Sequence, residues 1–303
     1  MVTTELTQQM IETLPNYKKA AVGEYSSACP FCGEGEDRFR FWPEKGNYWC
    51  RRCEAKGFVS DTGMQLDPAM LLEWQAKEAE RKLQEQHSQL EKIDRLNVTN
   101  NVMRYHQQLT PASRGWWYSK GLTDATINRF KLGFTTNCPT LPGTESYTIP
   151  ITYQDRLYNI RHRIAWADNG NKYRPEMAGL PAALFNADVL TSEDVFIPEV
   201  VLVEGEIKAM VLQQFGFDAV GLPGANTFKA KWVQLFRQST RPVYVALDPG
   251  ADDWAVKIWQ QLSEGGIDAR LCTFPVKPDD FFVVYGGTAS DFYFWLRCGK
   301  VGK

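Results

Sequence analysis

The sequence lacks any long hydrophobic run. Within its 303 residues, no apolar stretch approaches the roughly 20 residues that a membrane-spanning helix requires. Residues 1–5 carry neither the basic start nor the apolar core of a secretory signal peptide. We therefore expect a cytoplasmic protein without membrane contact, in which cysteine thiols stay reduced.

The chain also lacks a strong net charge. Its formal charge of −2 argues against a uniformly basic nucleic-acid binder. The charge is unevenly distributed, however, because residues 101–175 hold ten Lys and Arg against four Asp and Glu, whereas residues 195–296 hold eight against twelve. A basic middle followed by an acidic end fits a polyanion track that leads to a cation site, although ordinary solvated surfaces would give the same counts.

A third absence is the Gly-x-x-x-x-Gly-Lys-Ser/Thr motif, so the sequence gives no sign of a P-loop ATPase. The composition is that of an ordinary globular protein, with 44% hydrophobic and 23% charged residues. Its length suits about two domains.

Two Cys-x-x-Cys pairs are the most specific local feature. Seventeen residues separate Cys29 and Cys32 from Cys50 and Cys53. Two residues between cysteines let a tight turn direct both sulfurs at one ion, and a hairpin between the pairs brings all four together. The spacing predicts a four-thiolate zinc site, with a disulfide pair or a redox couple as the alternatives.

The segment between the cysteine pairs is rich in aromatic and cationic side chains. The aromatic residues are Phe39, Phe41, Trp42, Tyr48 and Trp49, and arginines and lysines lie among them. Such a mixture is typical of a stacking surface for single-stranded nucleic acid. The alternative is that these aromatic side chains fill the core of a zinc ribbon whose metal is purely structural.

Two later runs predict strands that are buried on both faces. Residues 200–203 and 243–247 are almost entirely apolar, and they lead directly into Glu204 and Asp248. Ligands of open α/β sheets bind beyond the carboxyl ends of the strands. We therefore expect the two carboxylates to meet and to hold a hard cation, unless they only cap the helices that follow.

These acids carry a family resemblance. Val203-Glu204-Gly205-Glu206 resembles the first acidic motif of the Toprim domain, which DnaG-type primases, topoisomerases and some nucleases share. Leu247-Asp248 resembles the start of its second motif, and Lys277-Pro278-Asp279-Asp280 its late acidic motif. The segment around Tyr105, Gly121-Leu122 and 130–134 is similar to the polymerase region of DnaG. The four-cysteine set looks like that of phage primases.

The resemblance implies an α/β fold that is α+β overall. We expect a zinc-ribbon DNA-binding domain at 1–62, a helical linker at 63–100, the N-terminal subdomain of an RNA-polymerase region at 101–194, and a Toprim catalytic domain with a parallel sheet at 195–303. The pattern of the last domain predicts β-α-β-α-β-α-β, with its second and third helices at 227–237 and 252–264. Residues 67–96 predict a long solvated helix, with a coiled-coil dimer as the alternative.

The resemblance also implies functional residues. Glu204 and Asp248 would be catalytic, and they would hold magnesium or manganese together with further acids, namely Asp252, Asp279 and Asp280. Template and nucleotide phosphates would be bound by Arg161, Arg163, Lys172, Tyr173 and Lys208. Strand alternation puts Arg161 and Arg163 on one face and His162 on the other.

The predicted function is that of a DNA primase, a DNA-dependent RNA polymerase that makes short primers. Its expected partners are single-stranded DNA, ribonucleoside triphosphates and a replicative helicase on a separate chain, and we expect a monomer. One departure concerns Gly250, because Toprim domains usually present Asp-x-Asp at this motif. The glycine leaves the number of catalytic metal ions open. Two alternatives to a primase therefore remain: a degenerate, non-catalytic DNA-binding protein and a Toprim nuclease.

Overall fold

The computed structural model describes residues 8–32, 36–59, 68–166, 172–192 and 198–298, with only the backbone at positions 9, 68–75, 77 and 78. The chain divides into two compact units, Met1–Gln84 and Glu85–Lys303, and the finer division into four domains stays a prediction. The sequence also predicts a ribbon glycine at Gly33, a helix N-cap at Asp67 and a tight turn at Asn169-Gly170, and these positions lie outside the described residues. Of the helices in the described ranges, none is both long and apolar enough to span a bilayer.

The first unit contains an antiparallel sheet. A short helix, α1 (Gln8–Glu12), precedes five strands that pair in chain order. The strands are β1 (Lys18–Ala21), β2 (Glu24–Ser27), β3 (Phe39–Trp42), β4 (Asn47–Cys50) and β5 (Lys56–Phe58). Alternation along β3 buries Phe39 and Phe41 on one face and leaves Arg40 and Trp42 partly exposed on the other.

A single helix of 31 residues, α2 (Pro68–Val98), follows the sheet and confirms the predicted long helix. Its described side chains up to Lys92 are mostly exposed. Near its end, the Asn97 side chain donates to the Leu157 carbonyl oxygen at 2.8 Å and accepts from the Leu157 amide at 3.0 Å. This pair of hydrogen bonds fixes the last turn of α2 against a strand of the second unit.

Three short helices and a second antiparallel sheet come next. The helices are α3 (Asn101–Gln107), α4 (Pro111–Tyr118) and α5 (Asp124–Arg129). The sheet pairs its strands in chain order: β6 (Gly133–Thr135), β7 (Ser146–Tyr153), β8 (Arg156–Ile164) and β9 (Tyr173–Pro175). Thr123 caps α5 through its side chain, as its position before Asp124 and Thr126 predicts.

A buried polar network fixes one face of this sheet. His162 is fully buried, contacts Ser146 Oγ at 2.9 Å through Nδ1 and contacts Glu176 Oε2 at 2.6 Å through Nε2. Tyr105 of α3 donates to the same carboxylate. A serine, a histidine and a carboxylate in contact would suggest a nucleophile, but Ser146 is fully buried. We therefore assign the network to structure, which agrees with the face predicted for His162.

The chain then forms a four-stranded parallel sheet in the spatial order β11-β10-β12-β13. Its elements are β10 (Val200–Glu204), α6 (Glu206–Gln214), β11 (Ala219–Leu222), α7 (Val233–Phe236), β12 (Val243–Val245), α8 (Asp252–Glu264) and β13 (Ala269–Leu271), followed by α9 (Pro278–Val283) and α10 (Ala289–Cys298). The sequence pattern predicts this alternation and the bounds of α8. The predicted fold class, mixed α/β with an N-terminal ribbon, is confirmed.

The predicted helix at 227–237 is wrong for most of its length. The segment forms two separate 3-10 turns, Ala225–Thr227 and Ala230–Trp232, before the single turn of α7. Phe228 and Lys229 are extended between them. The Phe228 ring lies 5.9 Å from that of Trp232 and 6.2 Å from that of Phe236, so aromatic packing prevails over helix propensity.

Candidate functional site

The four cysteines meet as their spacing predicts. Their Sγ atoms all lie within 4.8 Å of one another. Cys29 and Cys53 are separated by 3.7 Å, and Cys32 and Cys50 by 4.0 Å. Sulfurs at about 2.3 Å from one zinc ion in a tetrahedron would lie about 3.8 Å apart. The donor set and its separations therefore fit zinc.

The backbone next to the cysteines provides hydrogen-bond donors to two of the four sulfurs. The amides of Phe31 and Arg52 each donate to a cysteine sulfur, on Cys29 and Cys50, at 3.4 Å. Such amide contacts favour thiolate over thiol. Burial nevertheless raises the pKa of the Cys29 thiol. A metal ion must therefore displace a proton to bind there, which makes its affinity dependent on pH.

One face of the ribbon sheet carries a row of cationic and aromatic side chains. The strand registers align Lys18, Ser26, Arg40, Trp49 and Lys56 across five strands. Trp49 is 40% exposed, whereas Phe39 and Phe41 are buried on the other face. The aromatic residues of the predicted stacking surface thus divide into core and surface, with Trp49 and the partly exposed Trp42 on the surface side. Arg40 is paired with Glu24 at 2.9 Å.

A second cluster forms at the carboxyl ends of the parallel strands. Glu204 ends β10, and Asp248 follows the adjacent strand β12. The turn after Glu204 depends on Gly205, whose φ of 90° and ψ of 155° are accessible to glycine and to few other residues. Gly205 donates its amide to Leu222 on β11 at 2.7 Å. This turn starts α6 and carries Lys208 towards Asp248.

Asp248 lies between opposing charges. Its Oδ2 is 3.2 Å from Lys208 Nζ, and both side chains are more than four-fifths buried. Burial raises the pKa of Asp248; the Lys208 ammonium opposes that shift, and the Glu204 carboxylate adds to it. Because β10 and β12 are adjacent parallel strands, Glu204 and Asp248 lie at the same edge of the sheet.

Asp279 belongs to the same region. It lies in the first turn of α9, and burial raises its pKa, opposed by Lys208 and reinforced by Asp280 and Asp248. The Oδ1 atoms of Asp248 and Asp279 are both buried and have no hydrogen-bond partner. Buried carboxylate oxygens without partners are rare in folded proteins, and a divalent cation would satisfy both of these.

Glu206 is the functional candidate that sequence reasoning missed. It is 1% exposed, pairs with Arg161 of β8 through Oε1 and has no partner at Oε2. Burial raises its pKa, and Arg161 opposes the shift. The local sequence gives no sign that Glu206 is buried and paired, because its partner Arg161 lies 45 residues earlier in the chain.

The predicted phosphate-binding residues on the antiparallel sheet also lie together. Tyr173 is opposite Arg163 on neighbouring strands, and both Arg161 and Arg163 lie over its ring, at 4.2 and 5.5 Å. Burial raises the pKa of Tyr173 to about 12, so its hydroxyl stays protonated. The Arg161 side chain is 19% exposed, while Lys172 is exposed.

The remaining predicted ligands are less closely tied to the cluster. Asp280 is partly buried beside Asp279, and Asp252 is exposed in the first turn of α8. Over the residues described, only the cysteines form a group of three or more ligating atoms close enough to hold an ion as they stand. A cation would therefore have to draw the carboxylates together.

Comparisons with known proteins agree on the fold. Residues 24–64 match the family described as the zinc-binding domain of primase-helicase. The Aquifex aeolicus primase, with its zinc-binding and RNA polymerase domains, aligns with 96% of this chain and 82% of its own, at a TM-score of 0.55 and 18% identity. The E. coli primase catalytic core aligns with 70% of this chain and 80% of its own, at 0.53 and 18%. No curated protein sequence matches the chain.

A third similar structure is the RNA polymerase domain of Mycobacterium tuberculosis primase DnaG in complex with double-stranded DNA. It aligns with 65% of this chain and 78% of its own, at a TM-score of 0.52 and 15% identity. The fold is that of a DnaG-type primase. The resemblance read from the motifs is therefore confirmed for the fold, and the primase-type zinc ribbon contains all four cysteines. At these identities the activity has to be inferred from the site residues.

Proposed function

We propose that this chain is a DNA primase, a DNA-dependent RNA polymerase that synthesises short RNA primers on single-stranded DNA. The observation that carries the proposal is the pair of buried, unpartnered oxygens on Asp248 and Asp279 at the carboxyl edge of the parallel sheet. Carboxylate oxygens are the ligands that magnesium and manganese prefer. The proposal includes the assignment of this sheet to a Toprim domain.

The acids have separate tasks in the proposed reaction. Glu204, Asp248 and Asp279 would hold the divalent ion, with Asp252 and Asp280 as further candidates. A bound magnesium or manganese ion would activate the primer 3′-hydroxyl and offset charge on the leaving pyrophosphate. The Glu204 carboxylate would accept the hydroxyl proton as the 3′-oxygen bonds to the α-phosphorus and the bond to pyrophosphate breaks.

The basic residues would position the phosphates. Arg163 lies on β8 over the ring of Tyr173, its partner on β9, and Lys172 immediately precedes β9. Arg161 would act differently, because its pairing with Glu206 joins β8 to the helix that carries Lys208. It would thus orient the phosphate-binding residues of the antiparallel sheet and the acidic cluster relative to each other within the second unit.

The zinc ribbon would contact the template. Its exposed Trp49 lies in a row with Lys18 and Lys56, and aromatic stacking with nearby cations binds single strands without demanding a particular sequence. Ribonucleoside triphosphates and a replicative helicase on a separate chain complete the proposed partners. The family matched by the ribbon is described as that of a primase-helicase, which supports a helicase partner.

Incorporation of labelled ribonucleotides on random single-stranded DNA tests the proposal. With magnesium or manganese, the wild-type chain should make short products. Glu204→Gln should lower synthesis by about 100-fold or more, the size of effect seen when one electrostatic group is removed from an active site. Glu264→Gln, at an exposed position on α8, is the matched control and should retain full synthesis.

Three other results would contradict the proposed function or its site residues. DNA binding without products, across several templates and both metals, would indicate a degenerate DNA-binding protein, as Gly250 suggests. Cleavage of the template would indicate a Toprim nuclease. Normal synthesis by Glu204→Gln would show that the site has been assigned to the wrong residues.

A further inference from the structure

Lys208 is a fixed positive charge inside the acidic cluster. Its Nζ lies 3.2 Å from Asp248 Oδ2, and its side chain is 15% exposed. The same ammonium acts electrostatically on Asp279 and Glu206. Lys208 therefore pairs with Asp248 and offsets part of the negative charge of two further acids, as a bound cation would.

The number of carboxylate oxygens left for metal ions is small. Glu206 is paired with Arg161, and Asp248 Oδ2 with Lys208. The unpartnered buried oxygens of the three acidic motifs are Glu206 Oε2, Asp248 Oδ1 and Asp279 Oδ1, and Glu204 adds its own carboxylate. Sites that bind two ions hold them about 3.5–4 Å apart between shared ligands. Arg161 already pairs with the Glu206 carboxylate, which leaves Glu204, Asp248 and Asp279 as the ligands of a single ion.

Gly250 removes a further ligand. A side chain at this position would meet no atom within 4 Å, so space does not explain the glycine. Its φ of 87° does, because this backbone conformation disfavours every residue with a β-carbon. The backbone of the turn after Asp248 therefore favours glycine, which has no side chain that could ligate a cation.

We propose that the acidic cluster binds one divalent cation, and that the Lys208 ammonium supplies the positive charge of a second. The ammonium holds Asp248 by one oxygen and leaves the other oxygen for the ion. Its three donors also suit a phosphate group of the incoming nucleotide as a compact point charge. This inference rests on the proposed primase function, but it makes a separate statement about how many ions the chain binds.

Manganese titration of the full-length, zinc-loaded chain tests the inference without relying on activity. Electron paramagnetic resonance of free manganese gives the number of ions bound, and Asp248→Asn identifies those held by the cluster. We expect one ion in the wild type and none at the cluster in Asp248→Asn. In Lys208→Met, loss of the nearby charge should allow a second ion or tighten the first by about tenfold or more.

Two control variants separate charge from structure. Lys208→Arg keeps the positive charge and should still bind one ion, so it reports on the site even if Lys208→Met fails to fold. Lys231→Met removes an exposed lysine elsewhere on the second unit and should leave both stoichiometry and affinity unchanged. Circular dichroism and retained zinc content show which variants are folded.

The contrary results are distinguishable. Two ions bound by the wild-type cluster would overturn the inference, and primer synthesis would then still support the proposed function. One ion whose stoichiometry and affinity are the same in Lys208→Met would overturn the role of Lys208. The absence of any manganese that depends on Asp248 would overturn both the inference and the proposed cation site.

Discussion

The zinc ribbon and the acidic cluster gather negative groups in different ways. The ribbon takes four thiols from two short turns, and their sulfurs stand at metal-binding separations. The cluster takes carboxylates from three separate connections of the parallel sheet, and protein cations already pair with two oxygens there, on Glu206 and Asp248. The spacing of the ligands along the sequence therefore predicts the zinc site but gives little information about the acidic cluster.

The contrast also concerns what holds each region together. The ribbon buries few large side chains, chiefly Ile11, Phe39, Phe41 and Val59, so a metal has to contribute to its folding. The acidic cluster lies on a sheet whose central strands, β10 and β12, are almost entirely buried. Its fold does not need a cation, and the cluster can remain partly unpaired for binding.

Loss of zinc should produce the largest effect. Structural zinc contributes on the order of 10 kcal/mol in small zinc domains, so Cys50→Ser should unfold the ribbon. Hydrogen exchange should show loss of protection in β3 and β4 and unchanged protection in β10 and β12. Cys298→Ser, at an exposed cysteine outside the ribbon, is the control. A ribbon that stays protected in Cys50→Ser would remove the contrast between the two sites.

Breaking the Arg161–Glu206 pair should produce the next largest effect. Arg161→Met leaves a fully buried carboxylate without its cation, and such changes cost about 3–5 kcal/mol. Urea unfolding of the second unit should therefore show a clear loss, which Arg161→Met/Glu206→Gln should largely restore. If the double variant is as unstable as the single one, the pair does not balance the charge of this region.

The smallest predicted effect concerns Asp279. Its pKa is raised by burial, with Lys208 opposing the shift. An acid whose pKa is higher in the folded state than in the unfolded state favours folding when protonated, and this contribution is lost as the pH rises through the folded-state pKa. At pH 8 without divalent ions, Asp279→Asn should therefore raise the melting temperature by a few degrees.

The pH dependence checks the cause of that stabilisation. Below about pH 4 the carboxyl group of the unfolded chain is protonated too, so the advantage of Asp279→Asn should disappear. Asp253→Asn, at an exposed acid in α8, should show no comparable gain at any pH. A gain at Asp279 that is independent of pH would indicate a packing effect instead of relief of a buried charge.

The sequence predicts the parts of both sites that depend on local chain geometry. Cysteine spacing identifies the ribbon, and apolar β-branched runs ending in Glu204 and Asp248 identify the edge of the parallel sheet. Residues 252–264 form α8 as predicted. In each case the decisive interactions join residues close in sequence or follow from the order of strands.

What the sequence does not predict depends on contacts between distant segments. The pairing of Glu206 with Arg161 and the position of Lys208 beside Asp248 require β8, α6 and β12 to be in place. The broken helix at 227–237 has the same origin, because Phe228 packs against Trp232 and Phe236. Division of the ribbon's aromatic residues into core and surface likewise needs the strand register.

Iron-mediated cleavage of the zinc-loaded chain tests the cation site most directly. When hydrogen peroxide is added, ferrous iron bound in place of magnesium is oxidised and reduces the peroxide to hydroxide and a hydroxyl radical, which cuts the backbone next to the ion. The account predicts cuts near residues 204, 248 and 279, suppressed by excess magnesium and absent in Asp248→Asn. Cleavage that avoids all three positions, or persists unchanged in Asp248→Asn, would contradict it.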